Sequence, residues 1–239
     1  MKDKVILIVG AGGIGLACAK LFAQAGAKIV IAAHTNRKEA EKVATGINDN
    51  GGEAYVTEVE VTELPSVAGM VNNITEQLGT IDVLINAFGK GVIKPLLDIH
   101  PDEAKDVIDT NLYGTFLITQ TVLRYMETKK EGNVVMFPGI LGKYAIKNSS
   151  VYSATKFALT GFTKALVEET RRTDIKFSLF YLGSVDTPFW DDDHIDMKVR
   201  RDKMLSPDEV AKSVYYALTQ PQSAVLNEIV IQPQASQMI

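Results

Sequence analysis

Alternation is the strongest constraint on this chain. Apolar runs of strand length occur at Val5 to Val9, Lys28 to Ala32, Ala54 to Val59, Val83 to Asn86, Asn133 to Phe137, Lys176 to Tyr181 and Glu228 to Ile231. Between them lie helical patterns at about Ile14 to Ala25, Arg37 to Asn48, Pro65 to Leu78, Pro101 to Lys129, Ser153 to Arg172 and Pro207 to Leu218. Near-continuous hydrophobic strands separated by amphipathic helices need a parallel sheet covered on both faces. The pattern predicts an α/β fold, a doubly wound parallel sheet of about seven strands with helices on both faces, in one domain spanning residues 1–239. In such sheets ligands bind beyond the carboxyl ends of the strands, so residues that follow strands carry the functional information.

Composition narrows the classes of partner. Hydrophobic residues make up 46% of the chain and charged ones 23%, as in a soluble globular domain. The net charge of -4 is spread among interspersed acids and bases, which gives no footprint for nucleic acid. No stretch approaches the roughly 18 to 20 apolar residues of a membrane helix, and no apolar leader precedes Val5. The single cysteine, Cys18, falls in a helical pattern and suits a small buried side chain in a reducing compartment. A cytoplasmic protein acting on a small molecule is expected, with neither nucleic acid nor membrane as partner.

After the first strand, Gly10-Ala11-Gly12-Gly13-Ile14-Gly15 reads as G-x-G-x-x-G opening a helix. Glycines there allow a tight turn and close approach to a pyrophosphate, and the helix N-terminus supplies N–H groups and partial positive charge. The sheet is thereby expected to be Rossmann-type. The end of the second strand bears on the choice of nicotinamide cofactor. An acid there would hold the ribose hydroxyls of NAD, whereas a 2′-phosphate needs cations or small polar donors instead. The run Ala33-His34-Thr35-Asn36-Arg37-Lys38 has no acid before Glu39. NADP is expected, with NAD as the alternative and with His34, Asn36 and Arg37 as phosphate-side contacts; Asn36 also reads as a helix N-cap.

Farther along, Tyr152 and Lys156 stand four residues apart in a helical pattern, so both side chains leave one face. A tyrosine near its ordinary pKa of about 10 is a poor acid or base at neutral pH, and an adjacent positive charge lowers that value. A bare Y-x-x-x-K is weak on its own.

Five short motifs in order change its weight: the glycine loop, Asn86-Ala87-Phe88-Gly89 after the fourth strand, Asn111, Tyr152 with Lys156, and Leu182-Gly183-Ser184-Val185-Asp186-Thr187. Over essentially its whole length the chain resembles a classical short-chain dehydrogenase/reductase. The resemblance implies that Gly10, Gly13 and Gly15 line the pyrophosphate with Ile14 behind it, and that Glu60 and Val61 flank the adenine. Asn86, Ala87 and Gly89 would lie near the adenosine ribose. Tyr152 would be the acid/base, and Lys156 would bind the nicotinamide ribose and lower the tyrosine's pKa. Asn111 would hold a water in a proton relay, and Val185 and Thr187 would meet the carboxamide. A homotetramer or dimer is usual in the family. No metal is implied, and Asp191-Asp192-Asp193-His194 reads as a solvated run.

Departures from the family pattern set the open question. Val9 replaces a threonine, Ala87 and Phe88 replace Asn and Ala, and Leu182 replaces Pro. Counting back from Tyr152, Gly139 falls where the family's substrate-binding serine is expected. Losing one positioned donor to a developing oxyanion costs about 10² to 10³ in rate. Ser149 and Ser150 read first as N-cap candidates alongside Asn148. Three readings stay open here: a reductase for a carbonyl, quinonoid or conjugated substrate, a nucleotide-binding sensor or scaffold, and a lyase or dehydratase on this fold. The segment Gly183 to Leu205 lacks a clear pattern and is expected to be a mobile loop, in which Phe189, Trp190 and Met197 either wall a pocket or pack it down.

Overall fold

Every residue of the first strand is buried although successive side chains point to opposite sides, so that strand must lie between two apolar layers. The computed structural model, which describes residues 1–238, shows both layers. Strands β1 (Val5–Val9), β2 (Lys28–Ala33), β3 (Glu53–Glu58), β4 (Val83–Asn86), β5 (Glu131–Met136), β6 (Asp174–Leu182) and β7 (Glu228–Ile231) form one parallel sheet in the order β3-β2-β1-β4-β5-β6-β7. Ile6, Ile8, Ile29, Ile31 and Ile85 pack on one face against α1 (Gly13–Gln24), α2 (Arg37–Asp49) and α7 (Pro207–Leu218). Val5, Leu7, Val9, Val30 and Leu84 pack on the other against α3 (Leu64–Leu78), α5 (Thr115–Lys129) and α6 (Ser150–Glu169). The single-domain, doubly wound α/β fold is the one that the alternation predicts.

Chain direction creates the crevice. From β1 the chain winds outward through β2 to β3, then returns past β1 to β4 and continues through β7. The connections that follow β1 and β4 therefore lead to helices on opposite faces, which opens a crevice at the carboxyl end of the sheet beyond the point where they part. Both strands end at the same level, Val9 pairing with Asn86.

Three expectations need correction. The single helix predicted from Pro101 to Lys129 is α4 (Pro101–Ile108), a π-helical turn at Asp109–Gly114, and then α5. The widened turn lets Gly114 pack on Val61, whose Cγ2 would lie 2.9 Å from a Cβ at that glycine. Helix α6 begins at Ser150 rather than Ser153, which puts Tyr152 inside its first turn. The segment from Gly183 to Leu205 is not without structure: it holds short 3₁₀ turns at Pro188–Asp191 and Arg201–Lys203 and two parallel bridges, Ile93 to Ile195 and Val185 to Leu205.

Candidate active site

At the carboxyl end of β1 the backbone turns at Gly10, which has φ +108 and donates its N–H to Ala32 O at 2.8 Å. A Cβ there would lie 2.7 Å from Ala87 C and Phe88 N, so the turn after β1 and the turn after β4 pass at a distance only glycine allows. One turn later a Cβ on Gly13 would come 2.8 Å from Thr187 Cγ2, which brings the segment after β6 against the start of α1. Gly12 takes the N-cap position with no side-chain cap, and no acid stands in the first turn of α1. The N–H groups at this helix end face an uncrowded, unneutralised space, the geometry that accepts a phosphate. Ile14 is half-buried against the core of this face, and Gly15 packs on the Gly10 backbone.

The adenosine side differs from expectation at several residues. Asn86 turns its side chain away from the crevice: it is 5% exposed, with Nδ2 donating to Thr119 Oγ1 at 3.3 Å and approaching Met136 Sδ at 3.2 Å. The reason is strand alternation, since Asn86 shares the face of Leu84, toward α5. Arg37 is engaged by two carboxylates, Glu41 at 2.8 Å and Glu58 at 3.1 Å, rather than held free for a phosphate. His34 and Asn36 are exposed at the end of β2, and the Asn36 side chain makes no cap bond, so the N-cap alternative does not occupy it. Glu60 folds back on itself, accepting from Thr62 N–H at 3.1 Å and Thr62 Oγ1 at 2.7 Å, while its second oxygen lies 3.6 Å from His34 Nε2. The hydrogen bond from the Thr62 hydroxyl, helped by its N–H and by His34, holds the Glu60 carboxyl below its usual range.

Beyond β4 and β5 a second cluster forms. The Asn111 amide clamps the loop after β4: Oδ1 accepts from Lys90 N–H at 2.8 Å and Nδ2 donates to Lys90 O at 2.8 Å. Nδ2 also donates to Thr155 Oγ1 at 3.1 Å, tying the π-turn to α6. This side chain thus acts as a brace between the loop after β4 and α6. Gly89 sits beside it, where a Cβ would meet Asn111 Oδ1 at 3.1 Å and Lys156 Nζ at 3.7 Å. Lys156, 7% exposed, donates to Phe137 O at 3.1 Å, and its Nζ lies 5.4 Å from the centre of the Tyr152 ring.

Tyr152 and Lys156 do share one face, yet the electrostatics run against expectation. Burial pushes the Tyr152 phenol above its ordinary value and brings the Lys156 ammonium down to about 8. Loss of water penalises both charged forms and is the cause of both shifts. The tyrosine is therefore protonated at neutral pH.

Ser149 holds the N-cap position of α6, but its hydroxyl donates to Ile146 O at 2.8 Å and pairs with Ser153 Oγ at 2.7 Å, and the residue is buried. Ser150 is exposed. Gly139 has φ +65 and ψ 177, a region essentially restricted to glycine, and a Cβ there would meet only Leu182 O at 3.6 Å. There is room in front of Gly139, but its backbone conformation resists a side chain. Val185 is buried and accepts from Trp190 Nε1 at 2.8 Å through its carbonyl, and Phe189 packs on Tyr152 with ring centres 5.6 Å apart. Met197 is exposed at the outer surface.

A family model described as short chain dehydrogenase matches residues 4–198. The chain belongs to the short-chain dehydrogenase family. It is 31% identical over 234 residues to an uncharacterised oxidoreductase of Staphylococcus epidermidis, and 32% identical over 234 residues to one of Staphylococcus aureus, covering 98% of both chains in each case. A solved variant of actinorhodin polyketide ketoreductase with NADPH superimposes with a TM-score of 0.87 at 26% identity over 98% of each chain. An alcohol dehydrogenase from the archaeon Thermococcus sibiricus, complexed with 5-hydroxy-NADP, shares the fold with a TM-score of 0.90 at 24% identity over the whole of both chains.

In this short-chain dehydrogenase the sequence reading missed Lys90, Thr155 and the Phe137 carbonyl. None belongs to a motif, and two of them act through backbone atoms, which any residue supplies. Two outcomes follow from the cluster. Gly139→Ser should destabilise the protein by about 1–3 kcal/mol, because a side chain is forced into a glycine-only conformation; urea unfolding measures it, and wild-type stability would contradict the strain. For Lys156, the folded pKa of about 8 lies below the ordinary 10.5, so between these values the unfolded chain binds more protons and stability rises with pH. Unfolding free energies of wild type relative to Lys156→Met should therefore move in favour of wild type from about pH 8 to pH 10.5, and a flat difference would contradict the lowered value.

Proposed function

We propose that this protein is an NADP-dependent oxidoreductase that reduces a small uncharged carbonyl, quinonoid or conjugated substrate with Tyr152 as the proton donor. The observation that carries this reading is the half-buried Tyr152 phenol beside Lys156, at the same carboxyl end of the sheet as the glycine turn and the open α1 N-terminus. The cradle fits a dinucleotide: Gly12 faces open space at the start of α1, Gly10 and Gly13 let the turn lie tight against the segments after β4 and β6, and the first turn of α1 offers N–H groups without competing acids. Bound NADPH would supply the hydride. Solved relatives of this fold contain NADP or NADPH, which favours the phosphorylated cofactor.

On the protein's side, Tyr152 carries a proton at neutral pH that it can give up in the reductive direction, although burial makes the phenol a weaker acid. Once the phenol has given up its proton, the phenolate gains what the neutral phenol did not use, the charge of Lys156. Asn111 keeps the lysine in place by bracing Lys90 and Thr155 on either side. Gly139 stands for the family's serine, so the substrate oxygen receives one donor fewer. Conjugated or quinonoid acceptors, whose developing charge is delocalised, need that donor least, and the space at Gly139 admits a polar substituent or water. His34 and Asn36 are the groups assigned to the 2′-phosphate, with Arg37 held aside by Glu41 and Glu58. A cytoplasmic homo-oligomer belongs to the same reading.

Cofactor absorbance against a panel of ketones, quinones and enones, with NADPH and NADH, tests the proposal. Tyr152→Phe should lower kcat by about 10² to 10⁴ while nucleotide affinity holds; full activity in that variant would remove the tyrosine from the reaction. Asn36→Asp should weaken NADPH binding more than NADH binding, since a carboxylate faces the phosphate; equal losses would place the phosphate elsewhere.

A further inference from the structure

The segment after β6 reaches Tyr152 through Phe189. Its ring centre is 5.6 Å from that of Tyr152 at an interplanar angle of 31°, inside the range of aromatic pairs in direct contact, so nothing intervenes between the two. Trp190 meets Phe189 edge-on at 5.3 Å and 89°. On its far edge the Phe189 ring rests over Gly91, where a Cβ would fall 2.5 Å from Cζ and 2.6 Å from Cε2. The ring thus lies in a notch that exists because residue 91 has no side chain. Ile195 closes the notch, its Cδ1 standing 2.7 Å from the same absent Cβ.

This position is held rather than incidental. Ile93 N–H donates to His194 O at 2.9 Å and Asp196 N–H donates to Ile93 O at 2.9 Å, fastening the segment to the loop after β4. Trp190 Nε1 donates to Val185 O at 2.8 Å, and Arg201 joins Asp186 at 3.2 Å to Asp191 at 2.5 Å. The charged groups nearby pair with one another, Lys94 with Glu103 at 2.6 Å and His194 with Glu103 at 3.3 Å and Asp192 at 2.7 Å. What the segment turns toward Tyr152 is apolar.

We propose that Phe189, seated in the Gly91 notch, sets the size of the molecule that reaches Tyr152: it admits slender uncharged carbonyl compounds and turns away those with a ring or branched group on the loop side. This rests on the reductase reading and deepens it by naming the substrate class. Phe189 is a specificity-determining residue, and Gly91 acts through it as a positioning residue.

Two α-diketones that differ only in replacing methyl by phenyl, 2,3-butanedione and benzil, probe the gate. Both kcat/KM with NADPH and the dissociation constant from calorimetry in the presence of NADP+ are measured for wild type, Phe189→Ala and Gly91→Ala. Opening the notch side should raise the preference for benzil over butanedione by about tenfold or more in Phe189→Ala, in both quantities. Gly91→Ala fills the notch on the edge away from Tyr152, drives the ring toward the phenol without deleting it, and should shift the preference the opposite way, toward butanedione, which also covers a failure of Phe189→Ala to fold. An unchanged ratio of dissociation constants in the folded variants overturns the gate, and so does a failure of benzil to bind any of them. If neither diketone is reduced but the dissociation ratio shifts, the reductase reading falls and the gate stands.

Discussion

Much of the open end of the sheet depends on how closely two turns of backbone pass between β1 and β4. Gly10 meets Ala87 and Phe88 at a separation that excludes a Cβ. That contact brings the loop after β4 beside the start of α1, and from there the rest is carried by short braces. Asn111 holds the loop at Lys90 and reaches Thr155 on α6, and α6 presents Tyr152 and Lys156. The segment after β6 closes on both, touching Gly13 through Thr187 and Tyr152 through Phe189. Nucleotide cradle and phenol thus share one mechanical frame.

Burial rather than charge pairing dominates the electrostatics of that frame. Phenol and ammonium are both pushed toward neutrality because each loses water and neither faces a carboxylate. The surface at the ends of β2 and β3 is opposite in character: exposed and crowded with partly compensated charges from Arg37, Glu41, Glu58, Glu60 and His34. Surface pairs of this kind contribute little to stability and are easily rearranged by a ligand.

Gly139 shows how a missing group can be built into the backbone. Gly139 has no side chain, and its conformation disfavours one. The same logic in reverse applies at Gly91, where ordinary backbone leaves space that Phe189 fills. Each glycine shapes the region around Tyr152, one by conformation and one by volume.

The sequence by itself determined the layers. Periodicity specifies which segments are strands and helices, and near-continuous apolar strands require both faces of the sheet to be covered, so the fold class, the glycine cradle and the shared face of Tyr152 and Lys156 were legible without coordinates. Tertiary structure decided what depends on approach between segments far apart in the chain. The π-turn, the Asn111 brace, the inward turn of Asn86, the engagement of Arg37 and the folding of Gly183 to Leu205 over Tyr152 all arise from such contacts. So did the sign of the pKa shifts at the central pair. A local pattern predicts attraction between neighbours on a helix, but desolvation is set by everything packed around them, and only the assembled chain contains that.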